Sequence, residues 1–164
     1  LGENSYYIPH HGVHKPDSTS TPLRIVMNAS AQTTTGLSLN DVLHVGPKLQ
    51  NDLVGVLLNF GLFGFALTAD VRQMYLRILV RPEDRPFQRI IWRFAPEEDL
   101  QIFEMNTVVF GVAPSPYLAL RVVQELVRLE GHRFPLAATS AGRDTYIDDY
   151  LTSVPSEREA TSLQ

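Results

Sequence analysis

The residues whose types and spacing suit chemistry are carboxylates. In RDTYIDDYLTSV, residues 143–154, Asp148 and Asp149 stand side by side among Tyr146, Ile147, Tyr150 and Leu151, a run otherwise apolar and strand-forming. Neighbouring residues of an extended strand point to opposite faces, so the pair predicts a tight turn between two short strands. Such a turn has two uses. It is a solvated Asp-rich connection without chemistry, or it presents carboxylates to a divalent cation such as Mg²⁺, which takes oxygen ligands. The second use needs another acid. Asp70, at the end of the apolar run in FALTADVRQMY, is the candidate, with a turn cap as its plainer role. Two strands of one sheet would bring it to the Asp148–Asp149 turn, where like charges are costly until a cation neutralises them.

The rest of the composition narrows the classes. A chain of 164 residues that is 44% hydrophobic suits one domain with a real core and not a disordered tail. The absence of cysteine removes disulfides, thiol catalysis and cysteine-ligated zinc, and it fits a reducing compartment. The net charge of −4 argues against a protein that coats nucleic acid without selectivity. Between residues 72 and 93, however, Arg72, Arg77, Arg81, Arg85, Arg89 and Arg93 stand against only Glu83 and Asp84. That cluster suits either a phosphate backbone or a solvated strand face. The most apolar stretch, LVGVLLNFGLFGFAL, is broken by Asn59 and three glycines, and the N-terminus lacks a signal-peptide pattern. A soluble chain with no membrane partner is expected. His10, His11 and His14 have zinc-like spacing, but on an apparent loop without an acidic or thiol partner they are a weak metal site.

These acids must be positioned by strands and helices. A short strand, a mobile loop from about Lys15 to Pro22 and a second strand from Leu23 to Met27 open the chain. Pro47 then opens an amphipathic helix with Leu49, Leu53, Val56, Leu57 and Phe60 on one face, capped by Gly61. FALTADV, YLRILV, FQRIIWRF and LQIFEMNTVVF read as strands. Ser115 and Pro116 start a second helix, with Leu118, Val122, Leu126 and Leu129 as its buried stripe and Gly131 as its stop. The order predicts an α+β fold, an antiparallel sheet with helices packed on one face. Asn4 and residues 17–21 are the expected flexible places.

Taken together and in order, LTADVRQMY, MNTVVFGVAPSPYLA and YIDD resemble the polymerase motifs of reverse transcriptases. YYIPHHGVHKPDSTSTPLRIVMNASAQTTTGLSLNDVLHVGP and RPFQRIIWRF further resemble the BEL/Pao group of long-terminal-repeat retrotransposons. The resemblance spans almost the whole chain. It implies an RNA-directed DNA polymerase fragment with fingers-like segments at about 1–65 and 72–106, and palm at about 66–71 and 107–154. PSEREATSLQ would be a polar tail, and thumb, RNase H and integrase are expected to be absent. The alternative is a decayed or repurposed remnant that binds nucleic acid or a partner without catalysis; a metal-dependent nuclease or phosphotransferase fits the ordered motifs less well.

By position, the resemblance makes Asp70, Asp148 and Asp149 the catalytic acids, holding two Mg²⁺ ions, or Mn²⁺, with the backbone carbonyl of Val71. Tyr75 matches the aromatic gate against a ribose 2′-hydroxyl. Arg24 matches the arginine that stacks on the incoming base and contacts the triphosphate. Phe110, by its backbone, and Gly111 would complete the nucleotide site, Phe110 standing where retroviral enzymes often carry a polar residue. Asn28 stands where related sequences commonly have aspartate. Lys15, Ser115, Pro116 and Tyr146 would meet template and primer. The implied partners are an RNA or DNA template with primer, a deoxynucleoside triphosphate and the remainder of a retroelement polyprotein, in a cytoplasmic virus-like particle or the nucleus.

Overall fold

The structure, a computed structural model, describes residues 5–18 and 21–163. Asn4 and part of the loop expected to be mobile, Thr19 and Ser20, lie outside the described residues. In chain order the elements are β1 (His10–His14), β2 (Leu23–Met27), α1 (Leu39–Val42), α2 (Leu53–Phe60), β3 (Phe65–Asp70), β4 (Arg89–Trp92), β5 (Gln101–Glu104), α3 (Ser115–Glu130), α4 (Pro135–Asp144), β6 (Thr145–Tyr146), β7 (Asp149–Val154) and α5 (Glu157–Ser162). They divide into two compact units, residues 1–45 with 75–115 and residues 46–74 with 116–164. In this division α2 groups with β3 and β7, and residues 107–115 group with the N-terminal strands.

In the first unit, β1 and β2 form an antiparallel hairpin with His10 opposite Met27 and Val13 opposite Arg24. The three histidines expected on a loop are therefore in a strand. Their alternation separates His11 from His10 and His14, and the His10 ring lies 5.7 Å from that of Trp92. β4 and β5 form a second hairpin. Ile8, Ala29, Leu39, Val109 and Val112 make the core, with Tyr6, Met27, Leu43 and Met105 packed against it. α1 was not anticipated. Ser38 and Asp41 form a capping box at its start, each side chain meeting the other's backbone N–H.

YLRILV is not a strand. A 3₁₀ turn occupies Met74–Arg77, and Leu79 keeps only a single bridge to Thr107. The Tyr75 carbonyl accepts the Ile78 N–H at 3.1 Å, so the three-residue turn takes up backbone groups that a strand would offer to a neighbour. LQIFEMNTVVF likewise forms a strand only over Gln101–Glu104, with Thr107 adding the single bridge to Leu79.

In the second unit, β7 is the central strand of a three-stranded antiparallel sheet ordered β3-β7-β6. The expected single sheet is thus three small ones, and the helices α2 and α4 contact β6 and β7 while α5 contacts β3 and β7. α2 begins six residues after Pro47, because the Asp52 side chain accepts the Gly55 N–H at 2.9 Å and caps it there. Gly61 ends it as expected. α4, unforeseen, is opened by Pro135 and diluted by Thr139, Ser140 and Gly142, which carry low helix propensity. The polar tail folds into α5 on a Ser156 cap.

The stripe expected to bury α3 is exposed: Leu118, Val122, Leu126 and Leu129 are 37–58% accessible, whereas Ala119 and Leu120 are buried. Leu120, Val123 and Val127 line a shallow cavity of about 130 Å³ with Leu49 and Ala141. α3 is apolar over more than one face, so its periodicity alone does not select the face that packs. No helix among the described residues is long and apolar enough to cross a membrane.

Candidate active site

β3 and β7 pair in a register that sets Asp70 directly opposite Asp149. Opposed residues share a face with Cβ atoms about 5 Å apart, so these two carboxylates project together. β6 and β7 pair Tyr146 with Asp149, which leaves Ile147 and Asp148 as a two-residue turn. The expected hairpin is therefore present, with an unusual residue in it. Ile147 has φ 59°, a left-handed conformation that a β-branched side chain rarely takes. The turn is tied to β3 by the Val71 N–H, which donates to the Asp148 carbonyl at 2.8 Å.

Asp70, Asp148 and Asp149 are exposed, and none of their carboxylates forms a hydrogen bond or ion pair with another described residue. No group of three or more His, Cys, Asp or Glu among the described residues gathers closely enough to hold a metal ion. The assembled donor set is the Asp70–Asp149 pair, with Asp148 adjacent in the turn. The Val71 carbonyl already accepts the Met74 N–H at 3.1 Å, and its second lone pair remains. Such a set fits Mg²⁺, which binds through one or two carboxylates and fills its other positions with water and substrate phosphate. It does not fit a closed structural metal cage, and the three histidines form no site.

The sequence reading missed what lies beneath the hairpin. Asp144, the last residue of α4, is fully buried. Its carboxylate accepts Ser140 Oγ and Thr152 Oγ1, each at 2.7 Å, and Arg143 through Nε at 2.6 Å and Nη2 at 2.7 Å. Tyr150 Oη lies 2.6 Å from Ser140 Oγ, extending the network. Burial would push the Asp144 carboxyl up, but the hydrogen bonds from Arg143, Thr152 and Ser140, with the Arg143 charge, hold it below the usual carboxylate range. Asn51 Nδ2 donates to the carbonyls of Gly142 at 3.1 Å and Thr145 at 2.9 Å, fixing the passage from α4 into β6. An acid between a helix and a strand pattern is a faint signal. Only the alternation of Tyr150 and Thr152 toward one face hints at a polar partner.

The residues expected at the nucleotide belong to the first unit. Tyr75, half-buried, meets Phe110 edge to face with ring centroids 4.6 Å apart. Gly111 has φ 87°, and a Cβ there would collide with the Met27 carbonyl oxygen, so within this unit glycine is required by the backbone itself. Asn40, also missed, holds this loop: Nδ2 donates to the Gly111 carbonyl at 2.9 Å and Oδ1 accepts the Ala113 N–H at 2.8 Å. Arg24 and Lys15 are exposed on and beside the β1–β2 hairpin. Ser115 starts α3, but its side chain is buried and donates to the Val109 carbonyl at 2.7 Å. Pro116 is exposed, and Tyr146 is half-buried opposite Asp149.

The arginine cluster divides by role. Arg89 pairs with Glu104 at 3.1 Å, and Arg85 Nε donates to the Val80 carbonyl at 3.0 Å. Arg72, Arg77, Arg81 and Arg93 are exposed, and their guanidinium groups have no hydrogen-bond or ion-pair partner among the described residues. Four cations therefore stay available to an anionic ligand.

Comparison with solved structures finds the foamy viral protease-reverse transcriptase in complex with an RNA/DNA hybrid, with a TM-score of 0.69 and 18% identity over 98% of this chain. The native prototype foamy virus protease-reverse transcriptase matches at 0.67 and 18%, and its CSH mutant at 0.67 and 19%, over the same share. The chain spans 18% of the length of each. No protein-family model matches the sequence. No curated protein matches it either. At such identities the likeness concerns architecture: the chain has a mixed helical and antiparallel-sheet fold like that of the reverse transcriptases.

Proposed function

We propose that this chain is the fingers and core palm of an RNA-directed DNA polymerase from a BEL/Pao-type retroelement polyprotein. The second unit takes the part of palm, since it holds all three acids. The observation that carries the reading is the register of β3 on β7, which opposes Asp70 and Asp149 at a turn that presents Asp148. Unpaired exposed carboxylates on a common edge are a poor stability device and a good cation site.

Bound Mg²⁺ would supply Lewis acidity and charge neutralisation to an attacking primer 3′-hydroxyl and a triphosphate. Asp70 and Asp149 would hold the cations, and the Val71 carbonyl would add an oxygen. Tyr75 would stand against the ribose 2′ position, its ring fixed by Phe110. Arg24 would contact the incoming nucleotide, with Phe110 and Gly111 offering backbone. Lys15, Pro116 and Tyr146 would meet template and primer; Ser115 would act only by starting α3, because its hydroxyl is committed to Val109. Unpaired arginines would meet phosphate.

The test is single-nucleotide extension of a primed RNA template with Mg²⁺ or Mn²⁺, comparing wild type with Asp149→Asn. Metal-dependent addition lost in the variant supports the reading. Metal-dependent cleavage of the template in its place would assign a nuclease. A folded chain that binds primed template but neither Mn²⁺ nor nucleotide would make it a binding remnant.

A further inference from the structure

We propose that Asp144 is a positioning residue that locks the register of the carboxylate hairpin, an inference that rests on the polymerase reading of the Asp70–Asp149 pair. The hairpin has little to fix its own register. Its turn is Ile147-Asp148, without the Asn-Gly or Asp-Gly pair that two-residue turns favour, and Ile147 occupies a left-handed conformation at a cost. β6 contributes only two residues to pairing. A slip of one residue would turn Asp149 to the opposite face of the sheet and away from Asp70.

Asp144 opposes that slip from the other face. It immediately precedes β6, and it accepts the hydroxyl of Thr152, three residues beyond Asp149 on β7. Ser140, bonded to the same carboxylate, meets Tyr150. One buried acid thus joins the entry of the hairpin to its exit. Tyr150 and Thr152 alternate with Asp149, so they reach α4 only in the register that directs Asp149 toward the face shared with Asp70. After a slip, Thr152 would point away and leave the buried carboxylate short of a donor, a strong penalty. A buried acid is not needed merely to fill this space, since an apolar side chain would do so without desolvation.

The experiment uses the whole chain and Mn²⁺ as probe. Mn²⁺ affinity is read from its free electron paramagnetic signal, and register from cross-strand NMR contacts between residues 70 and 149. Asp144→Asn and Thr152→Val are compared with Thr152→Ser, which keeps the hydroxyl, and with Asp70→Asn. We expect Asp144→Asn and Thr152→Val to weaken Mn²⁺ binding by about tenfold, as for supporting residues of metal sites, and to weaken the 70–149 contacts. Thr152→Ser should restore both. If the folded variants keep wild-type contacts and affinity, the positioning role is refuted. If Asp144→Asn does not fold, the Thr152→Val and Thr152→Ser pair decides. If Asp70→Asn leaves Mn²⁺ binding unchanged, the metal reading fails, while the 70–149 contacts still decide the register lock.

Discussion

Replacing Asp144 by alanine removes a carboxylate that is fully buried and serves four side chains, Ser140, Thr152, Arg143 and, more weakly at 3.4 Å, Asn59. The cost can be built from those partners. Thr152 is 1% exposed and its hydroxyl would keep only Ser140, at 3.5 Å, so its loss approaches a buried unsatisfied group, about 1–2 kcal/mol. Ser140 keeps Tyr150 and should lose less, about 0.5 kcal/mol. The space vacated adds about 1 kcal/mol. The Arg143 side chain is 57% exposed and returns to water at little cost. Asp144→Ala should therefore destabilise the second unit by about 3 kcal/mol, and Asp144→Asn, which keeps an acceptor, by about half as much. The sign of the pH dependence follows from the carboxyl being held below its ordinary value of 3.8. The unfolded chain binds the proton first, so the stability contributed by ionised Asp144 is complete above pH 3.8 and is lost as pH falls through the lower folded value. Urea unfolding followed through the β7 amides at pH 7 and pH 3 would measure this. A change below about 0.5 kcal/mol at pH 7, or a wild-type to Asn difference that does not shrink at pH 3, would refute the reasoning.

Asp70→Asn should raise the metal-free melting temperature by about 1–2 °C, because it removes a directly opposed like charge, and should blunt the rise produced by Mn²⁺; identical melting responses of wild type and variant would dissolve the site. Gly111→Ala should destabilise the first unit far more than Gly36→Ala. Both glycines have positive φ, but a Cβ at Gly111 meets the Met27 carbonyl whereas at Gly36 it meets nothing within 4 Å; chemical denaturation read by Trp92 fluorescence would show equal losses if that contact is immaterial. In a polymerising form of the protein, Tyr75→Val should raise ribonucleotide incorporation relative to deoxyribonucleotide, since it opens space beside the 2′-carbon. An unchanged ratio in single-nucleotide assays would leave Tyr75 as the packing partner of Phe110.

Strong local signals were readable directly. Asp148 and Asp149 inside an apolar run require a turn because of the two-residue period of a strand, and the structure has that turn at Ile147-Asp148. Gly61 and Gly131 mark helix ends through the backbone freedom that a cap needs, and α2 and α3 end beside them. Weak local signals failed: α4 is diluted by residues of low propensity, and YLRILV has strand-like composition but gives its backbone to a three-residue turn.

By itself the sequence determined which residue types stand where: three acids, an apolar run ending at Asp70, and helices bounded by Pro and Gly. These are properties of single residues and their near neighbours. What faces what was decided by tertiary structure. The opposition of Asp70 to Asp149 is a register, and registers are set by pairing across dozens of residues. The burial of Asp144 follows from α4 docking on β7, which local periodicity does not encode. The face that α3 buries was likewise chosen by Leu49 and Ala141 lining its groove, leaving Leu118, Val122, Leu126 and Leu129 in solvent, because an apolar surface broader than its contact cannot specify which part is covered.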